Sequence, residues 1–160
     1  MSADMFLKID DVKGESKDKS HADEIDVLAW SWGMSQSGTM HLGAGGGAGK
    51  VSVQDISITK YVDRSSPNLM NACCVGQHYK EVKLTVRKAG VTPLEYLTIT
   101  MKRVLVSSIS TGGSGGEDKL TENVSLNFAE YQVEYTPQKD DGSGDAAVES
   151  GFNIEQNIKV

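Results

Sequence analysis

The residues that decide the fold are Asp63–Lys80, which read DRSSPNLMNACCVGQHYK. Ser66 can accept hydrogen bonds from the free backbone amides of a first helical turn, and Pro67 has the backbone angle that the first helical position favours. The segment Ser65–Tyr79 contains no Asp, Glu, Lys or Arg, although the whole chain is 24% charged. This stretch therefore predicts one uncharged helix over about residues 66–79.

The apolar side chains of this predicted helix cover a wide arc at helical spacing. Because the helix has no charge and so broad an apolar arc, we expect it to be covered, either as part of the core or in an interface. The residues assigned to this role are Ser66, Pro67, Leu69, Met70, Cys73 and Cys74. The two cysteines are adjacent and cannot form an ordinary disulfide with each other, so we expect reduced, buried thiols.

On both sides of the helix, apolar and polar residues alternate with a period of two, which is typical of β-strands. The predicted strands cover about residues 4–10, 24–32, 50–61, 81–88, 94–109, 124–135 and 152–154. Seven or eight strands with one lateral helix favour a small antiparallel β-barrel or rolled sandwich. A length of 160 residues is consistent with a single domain over residues 1–160.

The segment Gly33–Gly49 predicts a long glycine-rich loop between two strands. Five glycines lie within Gly43–Gly49, so ordering this segment by itself has a high cost in conformational entropy. Met40, His41 and Leu42 are its only side chains that could anchor on a large partner.

Charge and hydropathy exclude several classes of function. A net charge of -6 with no basic stripe argues against a nucleic-acid or anionic-membrane partner. No apolar run approaches the ~20 residues that a membrane span needs. The N-terminus lacks the basic start and apolar core of a secretory signal, so we expect the protein to begin in the cytoplasm and to use another route for any export.

Three segments resemble chemical motifs but lack their essential residues. Ala44–Val51 resembles a phosphate loop, but it begins with alanine, ends with valine and has no helix signal after it. Cys74 and His78 could share a metal ion on the predicted helix, but no third ligand is evident. Asp140–Asp145 resembles a calcium loop, yet Gly151 occupies the position of the closing glutamate. We therefore predict no catalytic residue, no cofactor and no metal site, and the chain is not expected to be an enzyme.

Several blocks of sequence, taken together and in order, resemble the Hcp (haemolysin co-regulated protein) family, the inner-tube proteins of bacterial type VI secretion. The blocks are MFLKID (5–10), KGESKD (13–18), IDVLAWSW (25–32), ITKYVDRSSPNL (58–69), VSLNFA (124–129) and VEY (133–135). The match runs in register from near residue 4 to the C-terminus, and no appended toxin domain is expected.

The resemblance implies a β-barrel subunit that forms hexameric rings, which stack into a tube inside a contractile sheath. It also implies sheath and spike proteins as partners, small effectors carried in the ring lumen, and secretion without a signal peptide. The long Gly33–Gly49 loop consists mainly of small residues and is suited to contacts between rings. We expect this loop to be mobile in an isolated ring and ordered in a stack. The residues assigned to ring stacking are Met40, His41, Leu42, Gly45, Gly46 and Gly47.

Two other functions fit the same strand pattern. A monomeric closed barrel could bind a small apolar ligand, with Trp30 and Trp32 forming part of the wall. A tail-tube subunit of a phage-like particle would share the physics of ring stacking without secretion. Core or interface packing nevertheless remains the favoured role of the two tryptophans.

Overall fold

The computed structural model describes residues 3–41, 47, 49–90 and 92–160. Within these residues there are ten strands and one helix. They are β1 (Ala3–Ile9), β2 (Ile25–Ser31), β3 (Met34–Ser35), β4 (Ser52–Val53), β5 (Ile56–Tyr61), α1 (Ser66–Val75), β6 (His78–Lys88), β7 (Leu94–Gly112), β8 (Thr121–Tyr135), β9 (Val148–Asn153) and β10 (Ile158–Lys159).

Six strands close into an antiparallel barrel. Their order is β8-β5-β2-β1-β6-β7, and β7 pairs with β8 to complete the circle. β9 and β10 extend the sheet from the second half of β8, while β3 and β4 form a separate two-stranded ribbon. The predicted small β-barrel with a lateral helix is confirmed, and the main sheet has eight strands.

The interior of the barrel is filled by apolar side chains from the alternating positions of its strands. Those that are essentially inaccessible to solvent include Leu7, Ile25, Ile56, Ile58, Leu84, Ile99, Met101 and Leu126. A narrow barrel leaves room for side chains and little else. The packed interior therefore disfavours the interpretation of the barrel as a container for a small ligand.

α1 begins at Ser66, as predicted, but ends at Val75 and not near residue 79. Gly76 has φ 65° and ψ 38°, a left-handed conformation that glycine adopts without strain, and it closes the helix by donating its N–H to the carbonyl of Ala72. The chain then enters β6 at His78, so Cys74 and His78 are not neighbours on one helix as the sequence suggested.

The helix contacts β7 through one narrow stripe, in which Leu69 and Ala72 are fully buried. Met70 and Cys73 are half-buried, whereas Pro67 and Cys74 are exposed. The expectation of a buried thiol is therefore wrong for Cys74, because the apolar arc of the helix is wider than the surface that the barrel covers. Across the described residues, no helix has both the length and the apolar character that a membrane crossing would require.

Candidate assembly surfaces

A long arm leaves the barrel between β2 and β5, and we define it as the described residues of Gly33–Gln54. Its stem is the β3–β4 ribbon, in which β3 falls within the predicted loop and β4 within the predicted strand over residues 50–61. Further out, the Thr39 hydroxyl donates to the carbonyl of Gly47 at 2.9 Å. A Cβ at Gly49 would contact the Ser37 hydroxyl and lie 3.2 Å from the Ser37 carbonyl oxygen, so a larger residue would require Ser37 to shift.

Trp32 fixes the base of the arm to the barrel. Its indole N–H donates to the carbonyl of Gln54 at 2.8 Å, and its ring packs edge-on against Tyr131 with the ring centroids 4.8 Å apart. A second edge contact joins Trp32 to Phe128. This tryptophan therefore serves in packing, the role that the sequence favoured, and orients the arm at one end of the barrel.

The structure describes three of the six residues predicted for ring stacking. Met40, His41 and Gly47 lie on the outer part of the arm and are exposed, and the side chain of Met40 is 77% accessible. Leu42, Gly45 and Gly46 lie outside the described residues. The assignment of these six residues to stacking, and the ordering of the arm on stacking, both stay predictions.

A fully buried ion pair lies where the helix joins the barrel. Lys60 on β5 and Glu122 on β8 are directly opposed in the strand register, and the Lys60 ammonium contacts the Glu122 carboxylate. The same ammonium lies 3.1 Å from a carboxylate oxygen of Asp63, and it donates to the carbonyl of Tyr61 at 2.9 Å and to the Ser66 hydroxyl at 3.2 Å. The lysine charge is thus balanced by two carboxylates inside the fold.

Ser66 completes this network in a role that the sequence did not predict. Its hydroxyl donates to the Glu122 carboxylate at 2.5 Å and accepts from the backbone N–H of Asp63 at 3.0 Å. It therefore does not cap the first helical turn, and Ser65, at the cap position, makes no side-chain cap either. The Asp63 carboxylate instead accepts from the backbone N–H of Ser65 at 2.8 Å, which folds the turn before the helix. The start of α1 is thus tied to the barrel wall by polar contacts.

At the end of the barrel near this network is a cleft of about 470 Å³, which we call the acidic cleft. It is lined by Glu15, Lys17, Asp26, Tyr61, Val62, Asp63, Asp118, Lys119 and Leu120. The Lys119 ammonium lies 4.7 Å from the centre of the Tyr61 ring. Loss of water around Asp26, together with the nearby charge of Asp63, raises the pKa of the Asp26 carboxyl above its ordinary value. The four carboxylates of the cleft outnumber its two lysines.

One wall of the cleft belongs to the loop 13–24, which is held to the barrel by charged contacts. Arg87 on β6 donates to both carboxylate oxygens of Asp18, at 2.6 and 3.0 Å. His21 lies between Glu24, at 3.0 Å, and Glu95, at 2.6 Å. Local sequence patterns do not indicate these contacts, because Arg87 and Glu95 are about seventy residues away along the chain.

Removing the Asp18 carboxylate should flatten the acid dependence of stability. The hydrogen bond from Arg87 lowers the pKa of Asp18 from 3.8 to about 2, so the ion pair stabilises the folded state above pH 3.8 and is lost as the pH falls through about 2. Between these pH values, the unfolding free energy of Asp18→Asn should therefore fall less steeply than that of the unmodified protein. Chemical denaturation at a series of pH values measures this slope, with Asp10→Asn as the exposed control. Parallel slopes for the unmodified protein and Asp18→Asn would contradict the assignment.

Within the part of the chain that the structure describes, no three His, Cys, Asp or Glu side chains gather as a metal site would require. The described residues present, among other surfaces, the arm, the exposed side of α1 and the acidic cleft. These are surfaces suited to contacts with other macromolecules.

Comparison with known proteins and structures finds similarity to proteins of type VI secretion. The family model described as "Type VI secretion system effector, Hcp" matches residues 6–135. Protein hcp1 of Pseudomonas aeruginosa is 69% identical over 162 residues, which covers 100% of both chains. The crystal structure of Hcp1 from Salmonella typhimurium superposes with a TM-score of 0.83 at 38% identity and full coverage of both chains. A structure of a type six secretion system protein reaches a TM-score of 0.94 at 29% identity, covering 99% of this chain and 100% of the other. The chain therefore belongs to the Hcp family of type VI secretion system proteins.

Proposed function

We propose that this protein is the ring-forming subunit of a type VI secretion tube and that residues 1–160 act as one Hcp domain. The observation that carries the proposal is the 69% identity with Protein hcp1 along the full length of both chains. The packed barrel supports it, because a rigid subunit with its surfaces at fixed positions can assemble without refolding. The same packed interior counts against the small-ligand barrel.

Two head-to-tail interfaces are needed to build such a tube. The first must close after six copies to give a ring, and the second must remain open so that rings can stack. For the first, we assign the exposed side of α1, where Pro67, Cys74 and Val75 form an uncharged surface. For the second, we assign the arm, where Met40, His41 and Gly47 are exposed, together with Leu42, Gly45 and Gly46, which lie outside the described residues.

The proposed partners follow from the tube. Further copies of the chain form the ring and the stack, sheath and spike proteins surround and precede it, and small effectors occupy the lumen. The protein is made in the cytoplasm and leaves the cell with the tube, by a route independent of a signal peptide. It acts by assembly and transport, with no chemical step assigned to its side chains.

Complementation of a Pseudomonas aeruginosa strain that lacks Protein hcp1 tests this function. The chain should appear in the culture medium, and its release should stop when the sheath genes are also deleted. A cytoplasmic marker protein controls for lysis. If the folded protein accumulates in the cell at normal abundance and is never released, the proposed function is wrong.

A further inference from the structure

We propose that the acidic cleft receives the arm of a second copy of this chain, with Met40 of that copy inserted beside Val62 and Leu120. The inference rests on the proposed stacking of rings and names the surface that would receive the arm. It is carried by the positions of the two surfaces, by their exposed apolar side chains and by their charges.

The arm and the cleft lie at opposite ends of the same pair of strands. β2 and β5 are antiparallel, and the pair Ser31 and Ser57 adjoins the arm, whereas Asp26 and Tyr61 line the cleft. The six residues of β5 separate these ends by about 17 Å at the usual rise of a strand. A second copy, translated along the strands without inversion, would bring its arm towards this cleft. Such a head-to-tail contact does not close on itself and generates a stack.

Each surface exposes apolar side chains that the fold leaves uncovered. Met40 is 77% accessible on the arm, and Val62 and Leu120 are 38% and 44% accessible at the cleft. The backbone N–H of Val62 donates to the carbonyl of Leu120 at 2.9 Å, so the two apolar residues of the cleft are held together before any partner arrives. Methionine is flexible and adapts to irregular apolar surfaces, which suits it as the inserted side chain.

The charges of the two surfaces are complementary. The arm contains no Asp or Glu, and its titratable side chains are those of His41 and Lys50. The cleft has four carboxylates and two lysines in its lining. Loss of water, together with the nearby charge of Asp63, raises the pKa of the Asp26 carboxyl, and an approaching cation would favour its charged form. Complementary charges favour this pairing over an approach of two arms or of two clefts.

Cross-linking between two single-cysteine variants tests the contact. Both variants carry Cys73→Ser and Cys74→Ser to remove the native thiols, and one adds Met40→Cys while the other adds Leu120→Cys. The assembled proteins are mixed and treated either with an oxidant or with a short bis-maleimide, since a disulfide requires closer geometry than the reagent. The mixture should shift from 17.2 kDa to twice that mass on a denaturing gel, whereas neither variant alone should shift. Glu134→Cys, which is exposed on β8 and lies outside the arm, the cleft and the surface of α1, replaces Leu120→Cys in the matched control and should give no dimer with Met40→Cys.

The outcomes separate this inference from the proposed function. If the mixture forms rings of six-fold mass, stacked or not, but gives no dimer with either treatment, the cleft does not receive the arm and the inference is wrong. If the unmodified protein also forms no rings, the proposed function fails independently, and the presence or absence of the dimer still decides whether the two residues meet. A dimer of equal intensity in the Glu134→Cys control would also overturn the specific contact.

A comparison of ring stacking in single and double variants provides a second test of the contact. Met40→Ser and Leu120→Ser should each weaken ring stacking by about tenfold in sedimentation experiments, because each removes a buried apolar contact. If the two side chains touch across the interface, the double variant should lose little more than either single variant. Losses that multiply would show that the residues act at separate places.

Discussion

Glu122→Ala should lower the free energy of unfolding by about 3–5 kcal/mol, because it leaves the buried Lys60 ammonium without its principal counter-charge. Both side chains are inaccessible to solvent, and Asp63 alone would then balance the lysine. The hydroxyl of Ser66 would also lose its acceptor at the start of α1. Urea unfolding followed by tryptophan fluorescence measures the loss, at a fixed protein concentration because assembly also contributes to apparent stability.

Two control variants show whether the loss arises from an unpaired charge. Glu134→Ala, on the same strand but exposed, should change the unfolding free energy by no more than about 0.5 kcal/mol. The double replacement Lys60→Met with Glu122→Leu removes both charges and keeps an apolar filling, so it should be far less destabilising than Glu122→Ala. Equal losses in Glu122→Ala and Glu134→Ala would contradict the role assigned to the ion pair.

Leu69→Ala should lower the free energy of unfolding by about 2–5 kcal/mol, since it leaves a cavity in the apolar stripe by which α1 packs against β7. Leu69 is fully buried, and its neighbour Ala72 is too small to fill the space. The same urea experiment gives the magnitude, and hydrogen exchange in α1 shows whether the helix loosens before the barrel unfolds.

Asn71→Ala provides the matched control for this helix. The residue is exposed on α1, and alanine has the higher helix propensity, so stability should stay the same or rise slightly. If Leu69→Ala is no more destabilising than Asn71→Ala, the packing of α1 does not contribute to the stability of the fold in the way described.

The sequence predicted the barrel well because alternation of apolar and polar residues is a local property of a half-buried strand. The start of α1 was also evident from the serines and proline at residues 65–67. The predicted end of α1 was too far along the chain because Gly76 lies between a helical pattern and an alternating one. The sequence did not show that Gly76 adopts the left-handed conformation that ends the helix. In the stem of the arm, β3 was missed because it is two residues long and contains serine, whereas β4 was predicted as the beginning of one strand over residues 50–61.

The assembly surfaces were less predictable because they depend on contacts between distant segments. Lys60 looks like an exposed strand residue in the sequence, and only its pairing with Glu122 explains its burial. The acidic cleft is lined by separate segments of the chain, none of which has a recognisable motif of its own. Local patterns therefore predicted the elements, whereas the cleft and the ion pair required the three-dimensional arrangement.

The native mass of the purified protein is the most direct test of the proposal that this chain forms rings. Native mass spectrometry, with electron micrographs of the same sample, should show a species of six times 17.2 kDa and annular particles. The ring should persist in Met40→Ser, because the arm is assigned to contacts between rings and not within one. A single species of 17.2 kDa in both dilute and concentrated samples, with no annular particles, would contradict the account.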